Sequence, residues 1–425
     1  MLAWRRGFYG YMIAAVAFVA FVLVGGSYYA LSVLTPVMAE DLSWSATQFG
    51  AVFSIFALLT GIASPLVGAF VARFGPRLAI LIGSGLAAVG VGLFSVLTEI
   101  WHFYLFVAVY AFGFALGAVL PLQQLIGNWF IARRSLFLGL VMTGAGVGGL
   151  LMSTLASRLV IALGSWRSTW LILCGMLAIV IPLVLLFIRN KPEELGQRPD
   201  GVAQGVDLEA SAAAARQTSR VYRTGIHWEA KAALKTPAFW QIALGLGVMF
   251  FLLQAVMAHQ VAYLTLEAGV ALSVAGSAIG LITTSSIIGR LAAGWLGDRI
   301  EPRIVLASLL LMLGLALGIL LIGQGLVTLY LYVILFGIGY GGVIVLAPAI
   351  SLNYFGSRHF AVIMGIATPI GSILGTVSPL LVGAIKDAIG SYVPAFLGMV
   401  VLAVVGAVMV FLALPPVPKA VETQP

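Results

Sequence analysis

The chain carries twelve apolar runs, each long enough to cross about 30 Å of hydrocarbon as an α-helix. They fall at about residues 8–38, 45–72, 78–97, 102–127, 135–161, 167–188, 237–266, 273–297, 304–323, 326–352, 360–385 and 392–414. The runs are continuous rather than alternating, which favours helices over the strands of a membrane barrel. With 62% hydrophobic and 8% charged residues, the chain has more apolar surface than a soluble domain can bury. The sequence therefore predicts an all-α integral membrane protein.

The longest polar interruption divides the twelve runs six and six. It predicts a first six-helix half at residues 1–188, a connecting loop at 189–236, a second six-helix half at 237–415 and a tail at 416–425. No cleavable signal is expected, because the first apolar run is too long for one.

The basic residues orient the helices in the bilayer. Most lysines and arginines lie at the N-terminus, in alternate connectors, in the loop or in the tail, whereas the other side has Arg158, Arg167 and Lys386. By the positive-inside bias, both termini and the loop are cytoplasmic, which predicts a multi-pass protein of the cell (inner) membrane. The net charge of +8 is spread over short connectors, so we expect the lipid bilayer and not nucleic acid as a partner.

The two halves share an internal repeat. "GAFVARFGPR" (68–77) aligns with "GWLGDRIEPR" (294–303), "NWFIARR" (128–134) with "NYFGSRH" (353–359), and "GSWRSTW" (164–170) with "GSYVPAF" (390–396), at offsets of 225 or 226. Three matches at one offset indicate that each half is a diverged copy of the other. Two parallel six-helix repeats build the major facilitator fold, whose ligand site lies near mid-membrane between pseudo-symmetric halves.

The repeated connector resembles the superfamily's G-x-x-x-D-R-x-x-P-R signature. The second copy keeps the acid as Asp298, followed by Arg299, whereas the first copy has Ala72 at the equivalent position. The resemblance implies a packing and gating element, with Asp298 and Arg299 as its charged residues. The equivalent contact of the first half lacks its acid.

Further stretches resemble the monocarboxylate transporter family. These are "NWFIARRSLFLGLVMTGAGVGGLL", the opening "RRGFYGYMIAAVAF", which lacks the family's usual leading acid, and "KPEELGQRPDG" and "LKTPAFWQIALG" in the loop region. The last two are similar to bacterial members and to the related oxalate–formate exchanger group. The resemblance implies transport of small carboxylates such as lactate and pyruvate, commonly with a proton.

Arg290 is the strongest candidate for substrate binding. It lies inside the eighth run, and no span contains an acid that could pair with it. A cation at such a depth costs about 2.5–3.5 kcal/mol on insertion scales and normally faces a water-filled cavity. Its planar guanidinium suits a carboxylate, although it could instead bond backbone carbonyls and lock helices together. The family resemblance assigns the substrate-carboxylate anchor to Arg290, and Ser286 stands where mammalian members have an Asp.

Aromatic residues are the next candidates for the substrate site. Tyr28, beside Tyr29, lies on the first helix, and Tyr332, Phe336 and Tyr340 form a stripe at i, i+4 and i+8 on the tenth. The stripe predicts either contact with the substrate's alkyl end or helix packing, and Tyr340 is nearest mid-span.

Two groups are candidates for the proton. Histidine is the side chain that commonly exchanges protons in proteins, so His259 on the seventh helix predicts either a proton or gating site or an interhelical hydrogen bond. Asp298 is its rival, through gating.

Together these features predict a proton-coupled symporter of L-lactate or pyruvate, working as a monomer. The eleventh helix has no cation before Lys386, so one cation predicts one carboxylate. The alternatives are a carboxylate exchanger of the oxalate–formate type and a non-transporting membrane sensor. No metal cluster, phosphate-binding loop or nucleophile–base pair is present, so we expect no enzyme, no metal site and no cofactor.

Overall fold

The computed structural model describes residues 7–44, 46–201, 221–270, 272–323 and 325–417. Its long helices are α1 (Gly10–Asp41), α2 (Ala46–Phe74), α3 (Pro76–Leu93), α4 (Ile100–Gly117 and Val119–Trp129), α5 (Arg134–Leu163), α6 (Trp166–Ala178 and Val180–Phe187), α7 (Pro237–Leu266), α8 (Leu272–Gly297), α9 (Pro302–Ile322), α10 (Leu326–Phe355), α11 (Phe360–Ile389) and α12 (Val393–Phe411). Arg5, Arg6, part of the predicted loop and most of the predicted tail lie outside the described residues.

The all-α membrane fold is confirmed. Among the described residues, eleven helices are long and apolar enough to cross a membrane, and α8, with 26 residues, completes the series of twelve. The predicted runs end within a few residues of the helix ends.

The hydrogen-bond ladder is interrupted in two helices, which the apolar runs do not predict. In α4 the backbone leaves helical geometry at Ala118, three residues before Pro121, whereas in α6 the interruption at Ile179, three residues before Pro182, keeps helical dihedrals. Each proline lacks the N–H that would continue the helical hydrogen-bond ladder through that turn.

The same helix pairs pack in both halves. Helix α1 packs along α5 as α7 packs along α11, and α3 lies against α4 and α6 as α9 lies against α10 and α12. The glycines of α5 permit a close approach to α1, because a β-carbon on Gly148 would lie 2.9 Å from the α-carbon of Gly26 in α1. Small residues at helix crossings are how membrane helices pack tightly without a hydrophobic driving force.

The two halves meet along two seams. One is formed by α5 and α8, and the other by α2 and α11. A β-carbon on Gly294 of α8 would lie 2.6 Å from the carbonyl oxygen of Ser135, and one on Gly365 of α11 would lie 2.9 Å from that of Ser64. We call the end of the bundle with the α6–α7 connection the linker end, and the opposite end the far end.

An acidic residue secures each half at the far end. Asp41, at the end of α1, accepts hydrogen bonds from the Trp166 indole at 2.9 Å and from Arg167 at 3.3 Å, at the start of α6. Glu267, after α7, accepts from the backbone N–H of Tyr392 at the start of α12 and from Lys386 at 2.6 Å. The repeat is therefore visible in polar contacts as well as in helix packing.

At the linker end the two halves are joined. Between described residues, the hydrogen bonds that cross from one half to the other lie at this end or at Arg290. Residues 221–236, which we call the strap, add a connection: Arg223 donates to Ala132 O in the first half, and the backbone N–H of Thr224 donates to Asn353 O in the second. The structure is thus closed at the linker end.

Candidate functional site

The site is built around the Arg290 guanidinium, in the linker-side half of α8. Arg290 is 2% exposed. Its Nη1 donates to the carbonyl oxygen of Met142 on α5 at 3.0 Å, and its Nη2 donates to the Tyr340 hydroxyl on α10 at 3.2 Å. The Tyr340 ring centroid lies 5.7 Å from the guanidinium carbon, so the same side chain also offers a cation–π contact.

Glycines on α5 make room for this arginine. A β-carbon on Gly139 would lie 2.5 Å from Arg290 O, so α8 can approach α5 closely there. A β-carbon on Gly146 would lie 3.3 Å from Nη1, in tight contact with the guanidinium. The glycine-dense α5 therefore packs closely against two helices, with α1 on one face and the Arg290 region of α8 on another.

Helix α1 contributes Tyr29. Its ring packs on Gly149 of α5, where a β-carbon would lie 3.0 Å from the ring, and its hydroxyl lies within electrostatic range of Tyr340 and Arg290. Tyr29 and Tyr340 are both half-buried. We call Arg290, Tyr340 and Tyr29 the Arg290 cluster. Its three residues lie on α8, α10 and α1, and their contacts with Met142 and Gly149 add α5, so four helices from both halves meet there.

The Arg290 cluster is suited to an anion. A guanidinium has five N–H donors and no acceptor, and in this structure Nε of Arg290 has no hydrogen-bond partner among the described residues. No acidic side chain of the described residues pairs with it, since the two ion pairs between described residues both lie at the far end. A buried cation with a spare donor favours a negatively charged partner.

Other aromatic candidates lie elsewhere. Tyr28 stacks on Phe56 at 4.8 Å between ring centroids and contacts Phe53 and Phe114, so it belongs to an aromatic cluster of α1, α2 and α4. Tyr332 and Phe336 are fully buried, and the Tyr332 hydroxyl donates to Gln260 of α7 at 2.8 Å. The structure does not bring these three residues to Arg290, so their contact with substrate stays a prediction.

Ser286 and His259 also lie outside the Arg290 cluster. Ser286 is fully buried, donates to Thr283 O and packs against Gly341 of α10. The His259 ring Nε2 is 2.8 Å from Pro379 O on α11, which is the interhelical hydrogen bond that the sequence left open. Its proton role stays a prediction.

The two gating candidates have different surroundings. Asp298 accepts from the backbone N–H groups of Ser135 and Leu136 at the start of α5, both at 3.0 Å, and so caps a helix of the other half. Arg299 is exposed and stacks on Trp295 at 3.8 Å, within its own helix turn. The geometry supports a contact between halves for Asp298 and gives Arg299 no such contact.

Sequence reasoning missed the tyrosine that joins the Arg290 cluster. Tyr28 and Tyr29 are adjacent, and neither hydropathy nor motif spacing says which of them faces α5. The signal lies in Gly149, whose missing side chain leaves the space that the Tyr29 ring fills.

Comparison with known proteins identifies the family. The family model described as Major Facilitator Superfamily matches residues 16–379 and 260–425. The chain belongs to the major facilitator superfamily. This transporter is 25% identical to monocarboxylate transporter 12 of Rattus norvegicus over 406 residues, which are 92% of this chain and 82% of that protein. It is 26% identical to monocarboxylate transporter 13 of Rattus norvegicus over 404 residues, 92% of this chain and 85% of that protein.

Solved structures support the same fold. The human organic anion transporter MFSD10 superposes with a TM-score of 0.73 at 16% identity, covering 94% of this chain and 99% of that one. The E. coli fucose:proton symporter FucP superposes with a TM-score of 0.70 at 16% identity, covering 94% of this chain and 98% of that one. At these identities the likeness establishes the fold alone.

Proposed function

We propose that this protein is a secondary active transporter of small monocarboxylates, L-lactate and pyruvate first, working by proton-coupled symport and alternating access. The observation that carries the proposal is the buried Arg290 guanidinium, whose Nε has no partner and which no acid of the described residues neutralises. A substrate carboxylate supplies the negative charge that Arg290 lacks as a partner and accepts hydrogen bonds from its unused N–H groups. The relation to monocarboxylate transporters supports the same substrate class.

The number of cations favours one carboxylate over two. The basic side chain of α11 is Lys386, and it pairs with Glu267 at 2.6 Å at the far end. A dicarboxylate in the Arg290 cluster would leave its second charge without a cation. The chemistry therefore favours lactate or pyruvate over oxalate.

Alternating access follows from the two seams. In this proposal residues 1–188 and 237–415 move as two halves, a single chain suffices, and the structure represents the state closed at the linker end. The basic connectors favour a cytoplasmic position for the linker end and for both termini, in the cell (inner) membrane.

Exchange is the second candidate function, and the charge of the Arg290 cluster favours it. An empty site with one arginine is positive and is costly to carry across a low-dielectric barrier, whereas a site filled by a carboxylate is neutral. Net symport requires a group that binds a proton together with substrate, and His259 and Asp298 are the candidates. Family membership favours transport over the third possibility, a non-transporting sensor.

Uptake of labelled L-lactate into proteoliposomes, with and without an inward proton gradient, tests the proposal. We expect the gradient to drive accumulation above equilibrium, whereas the exchanger alternative requires internal lactate and ignores the gradient. Arg290→Gln should weaken lactate binding at least about a hundredfold in calorimetry, because a charge-assisted hydrogen bond contributes about 1.5–3 kcal/mol and two are lost. Arg290→Lys should remain poor, because an ammonium cannot replace the planar fork.

The matched control is Arg158→Gln, which removes an exposed arginine. It should bind and transport lactate like the wild type. Wild-type lactate affinity in Arg290→Gln, or displacement of lactate by oxalate more strongly than by pyruvate, would contradict the proposal.

A further inference from the structure

A large cavity lies at the linker end, separate from the Arg290 cluster. Its volume is about 950 Å³. Its walls come from the α2–α3, α4–α5 and α10–α11 connections, from residues 190–199 after α6, and from the strap. We call it the linker-end basin. Both halves and the strap therefore contribute to one chamber, and its size matches that of small-molecule sites in proteins, about 300–1,000 Å³.

The linker-end basin is rich in positive charge. Five cationic side chains line it, against the two carboxylates of Glu193 and Glu194. The five are Arg73, Arg134, Lys191, Arg223 and Arg358. A single monocarboxylate would leave most of the excess positive charge uncompensated. A multiply charged anion fits this balance better.

Arg134 shows how the walls hold this charge in place. It is 6% exposed, and its guanidinium donates to Phe130 O, Gly127 O and the side-chain oxygen of Asn353. All three hydrogen-bond partners are neutral, and the carboxylates of Asp200 and Asp298, which lie outside the lining, offset part of its charge. The bond to Asn353 also crosses from the first half to the second.

His227, on the strap, lies in the electrostatic field of the cations that line the basin. Burial and the neighbouring cations Arg358, Arg134 and Lys191 lower the pKa of His227. A histidine held neutral beside several cations regains its proton more readily when an anion neutralises them. Its titration therefore offers a direct readout of an occupant.

We propose that the linker-end basin binds a phosphate-bearing anion that holds the linker end closed. Arginine forks match phosphate oxygens, and the amides of Asn128 and Asn190 add neutral donors to the lining. An anion that contacts Arg73 on the first half, Lys191 on the connecting loop and Arg358 on the second half bridges the halves. By mass action such a ligand stabilises the closed state and slows transport. The phosphate comes either from a soluble compound or from the headgroup of an anionic lipid.

Calorimetry of the full chain in phosphatidylcholine nanodiscs, with inorganic pyrophosphate as the probe, tests this. Pyrophosphate should bind, and the pKa of His227 measured by NMR should rise in its presence. Arg73→Gln and Arg358→Gln, both at exposed positions, should each weaken binding about tenfold, as expected for one lost charge-assisted hydrogen bond. Arg133→Gln is the matched control, because this exposed arginine is next to Arg134 but outside the lining, and it should bind pyrophosphate like the wild type.

Lipid composition distinguishes the two sources. If nanodiscs with phosphatidylglycerol abolish pyrophosphate binding, the headgroup occupies the basin; if binding persists, the ligand is soluble. The proposal is overturned if pyrophosphate binds in neither lipid, if Arg133→Gln weakens binding as much as Arg358→Gln, or if acetate displaces pyrophosphate at equal concentration. The last result would make the basin part of the substrate path. None of these measurements depends on lactate transport, so this proposal and the proposed function fail separately.

Discussion

The N-termini of α5 and α11 occupy equivalent positions in the two halves, and each is capped from the opposite half by different chemistry. Asp298 caps α5 through two backbone N–H groups, of Ser135 and Leu136. At α11 the acceptor is the side-chain amide of Gln124, which binds the backbone N–H of Ala361 at 3.1 Å and donates to Ser357 O at 2.8 Å. With the offset of 225, Ala361 is the counterpart of Leu136.

The difference arises from one substitution in the repeat. The counterpart of Asp298 is Ala72, which has no acceptor, and Gln124 of α4 supplies a neutral replacement. An acid at a helix N-terminus gains from the helix dipole, whereas an amide gains much less. A pseudo-symmetric fold is therefore fastened by unequal contacts, and we expect the α5–α8 seam to contribute more to linker-end closure than the α2–α11 seam.

The largest effect is expected from Asp298→Asn. The asparagine amide has one acceptor oxygen, so one of the two buried N–H groups at the start of α5 loses its partner. An unpaired buried group costs about 1–3 kcal/mol, which shifts the ratio of closed to open molecules about 5- to 150-fold towards opening. Double electron–electron resonance measures the opening as the distance between spin labels at Ile131 and Ile300, in a Cys174→Ser background. Both residues are exposed, and they lie on opposite sides of the α5–α8 seam.

The control for this prediction is Asp387→Asn. Asp387 is an exposed acid at the far end, so the variant loses the same charge without touching a helix cap. Its distance distribution should match the parent. An unchanged distribution in Asp298→Asn would mean that the charged cap does not hold the seam.

A smaller effect is expected from Gln124→Leu. This variant removes neutral hydrogen bonds to Ala361 and Ser357, each worth about 0.5–1.5 kcal/mol. Labels at Phe74 and Arg358, on opposite sides of the α2–α11 seam, should show more opening than in the parent but less than Asp298→Asn produces at its own seam. Gln123→Leu is the control, because the hydrogen bond of Gln123 is to the Met142 sulphur at 3.8 Å, within the first half. Equal opening at the two seams would contradict the expectation that the Asp298 cap of α5 contributes more to closure than the Gln124 cap of α11.

The sequence predicts the loss at Ala72 but not its replacement. Hydropathy gives the helices and the repeat gives the pairing of halves, since both follow from bilayer thickness and from the offset of 225 or 226. Gln124 precedes the end of α4 by five residues, and its contact with Ala361 depends on how the halves dock. That docking is a tertiary property, which motif spacing does not report.

The Arg290 cluster can likewise be predicted from the sequence only in part. Arg290 stands out in the sequence because a lone cation in an apolar run is costly, and Tyr340 lies at a depth that spacing can estimate. Tyr29, by contrast, differs from Tyr28 by a rotation of about 100° around α1, which the packing of α1 on Gly149 decides. The fold and the buried position of Arg290 are thus predictable from sequence, whereas the residues that contact Arg290 require the structure.

The smallest effect expected concerns pH, and it tests how much the charge of Asp298 adds to its cap. Burial raises the pKa of the Asp298 carboxyl above its ordinary value, against the opposite influence of the N–H groups of Leu136 and Ser135 and of the Arg223 charge. In the open state we expect a solvated carboxyl with an ordinary pKa of about 3.9. A carboxyl whose pKa is higher in the closed state binds more protons there, so closure gains stability as pH falls towards the ordinary pKa and loses it as pH rises through the raised one. Protonation leaves a carboxyl oxygen opposite each of the two N–H groups, whereas Asp298→Asn places an NH2 group opposite one of them. The distance between labels at Ile131 and Ile300 should therefore shorten on acidification in the parent and stay constant in Asp298→Asn. If the seam instead opens on acidification, the loss of attraction between the carboxylate and the helix dipole outweighs the gain from no longer burying a charge. The pKa of Asp298 would then be lower in the closed state than in the open state.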